Sequence, residues 1–308
     1  MGGPRDELRS AFEREARERW LETDDGTRLR VLDFDGAGRE AEPLVVVPGF
    51  ASVFQGWEEV VRDFAAGRRV LYFESREKGS SRMPDRATER AVSLSRMARD
   101  LAAVESGLEL VPGGYAVLGS STGCTILVEA LEAGWLAPRV AVLVGPAIEH
   151  RLTPWAALGT SLLPTVLRPL ALPLYRLYLR SVGVDRERHP EQFAKYFRAA
   201  QEASLPKIRR LLWEMTRQAG WERLPRVATP CLVVGAEDDG MHAAEDARRC
   251  VRLLPDARLI ELADNRETHS TGLVEEVRSF LGEGSEEAAL ARVAQQPEPE
   301  LAPPVPAS

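Results

Sequence analysis

The stretch Gly119-Ser120-Ser121-Thr122-Gly123 forces a sharp turn between a short apolar run, Tyr115-Ala116-Val117-Leu118, and an apolar-periodic segment beginning near Thr122. The run reads as a buried strand and the periodic segment as a helix, so the chain must pass from one to the other within a few residues. A serine centred between two glycines at such a junction has the G-x-S-x-G pattern. Ser121 on a tight turn projects its hydroxyl above the edge of a sheet. Gly119 and Gly123 lack Cβ atoms, so neighbouring backbone can approach the turn closely. The backbone N–H of Thr122 then lies where it can face a developing negative charge, helped by the dipole of the helix it opens. A nucleophilic serine needs all of these features, whereas a plain Gly/Ser connector needs none.

The rest of the chain supplies the sheet that this turn requires. Asp25-Gly26 lies between Trp20-Leu21-Glu22-Thr23 and Thr27-Arg28-Leu29-Arg30-Val31-Leu32, which predicts a hairpin. Leu44-Val45-Val46-Val47, Val70-Leu71-Tyr72-Phe73, Val140-Ala141-Val142-Leu143-Val144, Cys231-Leu232-Val233-Val234 and Leu259-Ile260-Glu261-Leu262 read as further strands. Between them, Trp57, Val60, Val61 and Phe64, then Leu94, Met97, Leu101 and Val104, recur at helical spacing. The elbow helix carries Ile126, Leu127, Ala130 and Leu131 and stops near Gly134, and further helices are predicted over 243–254 and 272–281. Strands alternating with helices predict an α/β fold with a doubly wound, mostly parallel sheet. About 80 residues separate the strand at 140–144 from the one at 231–234, too many for a structureless loop. Their Leu, Trp and Tyr content predicts an inserted helical cap. The expected organisation is a charged N-terminal extension over 1–17, either helical or frayed, a core over 18–146 and 227–284, a cap over 147–226 and a disordered Pro-rich tail over 285–308.

Composition removes several classes of function. Asp and Glu outnumber Lys and Arg by 47 to 40, and no basic block is long enough for a nucleic-acid footprint, so no nucleic-acid partner is expected. Cys124, Cys231 and Cys250 are an odd set, widely spaced and without C-x-x-C, which suits a reducing compartment and predicts a cytoplasmic protein. Met1–Trp20 has no apolar signal core. Leu158–Leu179 is apolar but broken by Pro164, Pro169 and Pro173 and charged at Arg168 and Arg176, so no integral membrane span is expected there. No clustered ligand set predicts a metal, and no cofactor is expected.

A serine hydroxyl needs a base within hydrogen-bond reach, and the base needs an orienting acid. Of the four histidines, His269 lies just after the last predicted strand, on the sheet edge where Ser121 emerges and where ligands bind in open α/β sheets. His150 and His189 fall at or within the cap, and His242 is placed to open a helix. The acid is sought after Gly235 among Glu237, Asp238 and Asp239, with Asp238 preferred and Glu149, after the strand at 140–144, in reserve. Pro48-Gly49-Phe50-Ala51 follows the first buried strand, and the Phe50 N–H is the candidate second oxyanion donor beside that of Thr122.

The order Ser121, Asp238, His269 resembles that of the α/β-hydrolase superfamily. The resemblance runs from about Trp20 to Leu281 apart from the cap. Leu44–Phe50 is similar to the family's strand and oxyanion loop, and Phe73-Glu74-Ser75-Arg76-Glu77-Lys78-Gly79-Ser80-Ser81 to its acidic, Arg, Gly and Ser strand-end segment. Gly235–Asp238 resembles the acid loop and Phe280-Leu281 the terminal helix. Pro48, Ser120, Cys124 and Thr268 stand where many relatives have His, His, Gly and Gly. The resemblance and the residues together predict a serine hydrolase that cleaves a carboxylic ester or thioester, with a small-molecule acyl substrate whose acyl group is apolar. Acyl transfer, amide, carbon–carbon or perhydrolytic chemistry, and a non-catalytic ligand-binding relative, are the alternatives.

Overall fold

The computed structural model describes residues 9–36, 41–50, 52–85, 92–149, 205–215, 220–238 and 243–282. His150, His189, Asp239, His242, the apolar stretch from Trp155 to Leu177 and the tail over 285–308 lie outside the described residues.

The strands are β1 (Arg17–Glu22), β2 (Arg28–Phe34), β3 (Ala41–Val47), β4 (Arg68–Phe73), β5 (Ala116–Ser120), β6 (Val140–Val144), β7 (Cys231–Asp238) and β8 (Ala257–Asp264). They form one sheet in the order β1-β2-β4-β3-β5-β6-β7-β8. β1 and β2 pair antiparallel across the Asp25-Gly26 turn, and β2 pairs antiparallel with β4. From β4 through β8 every pairing is parallel. The carboxyl ends of six strands therefore share one edge. This is the doubly wound α/β sheet that the alternating pattern predicts.

Burial on both faces explains why the central strands are unbroken runs of Val, Leu and Ala. Val45 and Val47 of β3 enter one apolar cluster, and Leu44 and Val46 enter the other, as the pleat requires. On the first face pack α3 (Leu94–Asp100), α4 (Val104–Leu108), α5 (Thr122–Glu132) and α7 (Ala244–Leu253), joined there by Leu211 and Met215 of α6 (Leu205–Met215). On the second face lie α2 (Glu58–Ala65) and α8 (Thr271–Leu281), through Val60, Val61 and Phe64 and through Leu273, Val274 and Val277.

Two elements are more definite than the sequence expectation. Residues 11–15 of the charged extension form a short helix, α1 (Ala11–Glu15), docked on the sheet. Ser10 caps it by accepting from the Glu13 N–H, and the Phe12 ring stacks on Phe34 at 4.6 Å. Glu13 is buried there and accepts a 2.8 Å hydrogen bond from Gln55 Nε2. The other difference is length. β7 and β8 run on to Asp238 and Asp264, which face each other in register, so Asp238 is the last residue of its strand.

Candidate active site

Ser121 is the junction between β5 and α5, and its backbone is strained. Its φ of 51° and ψ of −118° are a combination that side chains other than hydrogen rarely adopt. Such a residue costs about 1–3 kcal/mol and persists only where its surroundings over-determine it. Here they do. The Ser121 N–H donates to Val144 O at 2.9 Å, and the Cys124 N–H donates to Ser121 O at 2.9 Å. The junction is also pressed against β3. A Cβ on Gly123 would lie 2.2 Å from Val47 O, so only glycine lets α5 start this close to the end of that strand. The same approach brings the next loop in, because a Cβ on Gly49 would lie 3.1 Å from the Ser121 Cβ. The Pro48-Gly49-Phe50 loop therefore abuts the serine. Cys124 is a fully buried neighbour, and burial pushes its thiol well above its ordinary value, so it offers no competing nucleophile.

His269 sits in a single 3-10 turn, Glu267–His269, between β8 and α8. Asp264 builds that turn by accepting from the Arg266 N–H at 2.7 Å and the Glu267 N–H at 3.1 Å. The imidazole packs on the Trp57 indole, with ring centroids 4.6 Å apart. Trp57 leads into α2, the helix that follows β3, so this contact carries the histidine from the β8 end back towards the strand beside Ser121. Nδ1 lies 2.9 Å from Thr268 Oγ1 and 3.3 Å from Asn265 O. The Thr268 hydroxyl donates its own proton to Asn265 O at 2.8 Å, so both neighbours of Nδ1 can accept. This arrangement suits the tautomer protonated on Nδ1, which leaves the Nε2 lone pair as a base.

Asp238 ends β7, exposed, two strands from β5 and against β8, while the turn bearing His269 packs on both β7 and β8. Glu149, the reserve acid, accepts a 2.9 Å hydrogen bond from Trp221 Nε1 beyond the end of β6. Thr122 is the first residue of α5, and Phe50 closes the loop after β3. Ser121, Thr122, Phe50, Asp238 and His269 thus all lie at or just past the carboxyl edge of the parallel strands. Among the described residues no group of three His, Cys, Asp or Glu side chains is placed to hold a metal ion, and no helix is long and apolar enough to cross a membrane.

Sequence reasoning missed Trp57 as a site residue, because its helical spacing with Val60, Val61 and Phe64 marks it only as core. It also missed two charges beside the oxyanion loop, the buried Glu77 and the half-buried Lys78. Lys78 Nζ donates to Gly49 O at 2.9 Å and lies 3.0 Å from Glu77 Oε1. Nothing local signals the bond to Gly49, which joins loops 29 residues apart in sequence, although Glu77 and Lys78 are themselves neighbours.

Residues 44–272 match the model of the alpha/beta hydrolase family. An esterase from Rhodococcus superposes with a TM-score of 0.69 at 22% identity, over 86% of this chain and 98% of that one. A thermophilic esterase from Thermogutta terrifontis gives 0.69 at 18% identity, over 87% and 98%. An enol-lactonase from Burkholderia xenovorans gives 0.64 at 16% identity, over 90% and 100%. Comparison with curated proteins gives no match.

Proposed function

The chain belongs to the alpha/beta hydrolase family, and from that premise we propose that it is a serine hydrolase that cleaves a carboxylic ester or thioester through an acyl-enzyme on Ser121. One observation carries the reading. A non-glycine residue holds φ 51° and ψ −118° at the end of β5, pinned by hydrogen bonds on both sides and closed in by two glycines. Backbone strain of this kind is retained where a side chain must be presented for chemistry.

In this reading Ser121 Oγ attacks the acyl carbon while His269 Nε2 takes its proton. The imidazolium then gives that proton to the leaving alcohol or thiol. Asp238 is the acid that stabilises the imidazolium, and its position beside the β8 end supports it over Glu149, whose carboxylate is engaged with Trp221. The Thr122 and Phe50 amides hold the oxyanion, each worth roughly 3 kcal/mol of transition-state stabilisation. Water, deprotonated by His269, releases the acyl group. The segment over 147–226 serves as a cap that admits a small-molecule substrate with an apolar acyl group. Three free cysteines, all buried, are consistent with a reducing, cytoplasmic setting.

The test is covalent. A fluorophosphonate should add one adduct to the wild-type chain by intact mass, located on Ser121 by peptide mapping and absent from Ser121→Ala. Labelling of Ser120 with Ser121 untouched would sink the assignment. An acyl-chain panel of esters and thioesters then separates hydrolysis from acyl transfer, by adding an alcohol or amine acceptor and measuring which product forms.

A further inference from the structure

The loop after β4 reaches the oxyanion loop through a buried carboxylate, Glu77, and the half-buried lysine beside it, Lys78. Glu77 is 2% exposed, and among the described residues neither of its carboxylate oxygens has a hydrogen-bond partner. Its compensation is the ammonium of Lys78, 3.0 Å from Oε1 and itself 10% exposed. That ammonium donates to the Gly49 carbonyl at 2.9 Å. The same carbonyl accepts the Ser52 N–H at 3.2 Å. The Gly49 oxygen is thus held from two directions, once by a charge.

We propose that Lys78 is a positioning residue of the oxyanion hole: by fixing the Gly49 carbonyl it aims the Phe50 N–H at the charge that develops on the substrate beside Ser121. The geometry follows from the peptide bond. In a trans peptide the C=O of one residue and the N–H of the next point in opposite directions, and among the described residues no peptide is cis. Two donors on Gly49 O therefore turn the Phe50 N–H the other way, and that N–H has no hydrogen-bond partner among the described residues. Gly49 itself abuts the Ser121 Cβ. A cation on the carbonyl also polarises the amide, which makes its N–H a better donor. Glu77 keeps the ammonium in place.

The loop that carries Lys78 is rigid enough for this role. Arg76 is fully buried and donates to Asp100 at 2.6 and 2.5 Å and to Asp25 at 3.0 Å. From the other side, Lys207 of α6 donates to Arg76 O at 3.0 Å and to the Ser81 hydroxyl oxygen at 2.7 Å. The ordinary alternative is that Glu77 and Lys78 only neutralise one another within that loop.

This inference rests on the serine-hydrolase reading, and the experiment separates the two. If the wild-type chain takes no fluorophosphonate on Ser121, both fall. If it does, Lys78→Met, Lys78→Arg and the pair Glu77→Gln/Lys78→Met are compared on the best ester, with circular dichroism to verify the fold. The paired variant removes both charges at nearly constant shape, so it leaves no uncompensated buried carboxylate. In both Met variants kcat should fall about 10- to 100-fold, less than the loss of a whole oxyanion donor, with KM within about threefold of wild type. The Ki of a trifluoromethyl ketone, which forms a tetrahedral oxyanion adduct with the serine, should rise in parallel, and Lys78→Arg should recover most of both losses. A folded paired variant whose kcat and ketone Ki stay within about twofold of wild type overturns the role, as does a change in KM alone.

Discussion

The backbone of Ser121 is the residue on which the functional reading turns, and its strain can be measured apart from its chemistry. Ser121→Ala should lower kcat on a p-nitrophenyl ester by about 10⁴-fold or more. Ser121→Gly should be as inactive but at least as stable as Ser121→Ala, because glycine reaches φ 51° without strain. At an unstrained site glycine is about 0.5–1 kcal/mol worse than alanine, so a lower thermal midpoint for the glycine variant would show that the turn stores no strain. The G-x-S-x-G spacing made this much legible, since both glycines and the serine lie within five residues of chain. The base is a different case. His269 was reachable from its place after the last strand, but its surroundings were not, because Trp57 lies 212 residues away and Thr268 is an unremarkable neighbour in sequence. His269→Ala should be nearly as inactive as Ser121→Ala, and Asp238→Asn should keep more activity, with non-additive losses when combined. Thr268→Val removes an acceptor at Nδ1 and should cost about tenfold in kcat with KM unchanged. Activity should rise with pH as the imidazole loses its proton, because Nε2 must be unprotonated to act as base. Full activity in Asp238→Asn with a dead Glu149→Gln moves the acid to the end of β6.

The strands were legible because burial on both faces of a parallel sheet demands continuous apolar runs, and β3, β5 and β6 consist of little else. Their ends were not, since Glu237 and Asp238 look like turn residues, yet β7 runs on through them alongside β8, with Asp238 opposite Asp264. α1 was legible only as one of two choices, a charged helix or a frayed extension. Its five residues are mostly charged, and it owes its place to Phe12 on Phe34 and to Glu13 on Gln55 rather than to its own propensity. The loop after β4 depends on the same kind of distant pairing. Asp100 on α3 is buried with Arg76, and burial pushes its carboxyl up although Arg76 opposes the shift. Asp100→Ala leaves the guanidinium buried without its two shortest bonds and should cost about 3–5 kcal/mol in urea unfolding. For Asp25 burial also works upwards, but hydrogen bonds from Arg76, Thr23 and Thr27 outweigh it and hold the carboxyl below the usual carboxylate range. Its contribution is therefore present above about pH 3.9 and lost as pH falls through the lowered folded value. Asp25→Asn should be less stable than wild type at neutral pH, with the difference shrinking as the solution is taken below about pH 3.9.

Across the whole chain, the body and the segment over 147–226 meet through α6. Leu211 and Met215 are buried in the same apolar cluster as Leu94 and Ile126, and Glu214 accepts the Leu94 N–H at 3.1 Å. Lys207 ties the same helix to the loop after β4, and that loop reaches Gly49 through Lys78. The carboxyl-terminal part of the proposed cap is thus anchored beside the oxyanion loop. The rest of the segment carries Trp155, Leu158, Leu162, Leu163, Val166 and Leu170 among its apolar residues, more than a solvent-facing linker should hold. If those side chains line an acyl pocket next to Ser121, each further methylene of substrate leaves water and contributes about 0.8 kcal/mol, or roughly fourfold in kcat/KM. Catalytic efficiency should then climb from acetyl to hexanoyl or octanoyl esters and fall once the pocket is full. If they only pack the segment onto the sheet, length gives no gain. A p-nitrophenyl ester series from acetyl to decanoyl, with kcat and KM resolved at each length, decides between the two. A steady decline from acetyl onward excludes an acyl pocket and points to a small or polar substrate. A maximum at intermediate length with the gain in kcat/KM fixes the acyl side of the substrate as apolar.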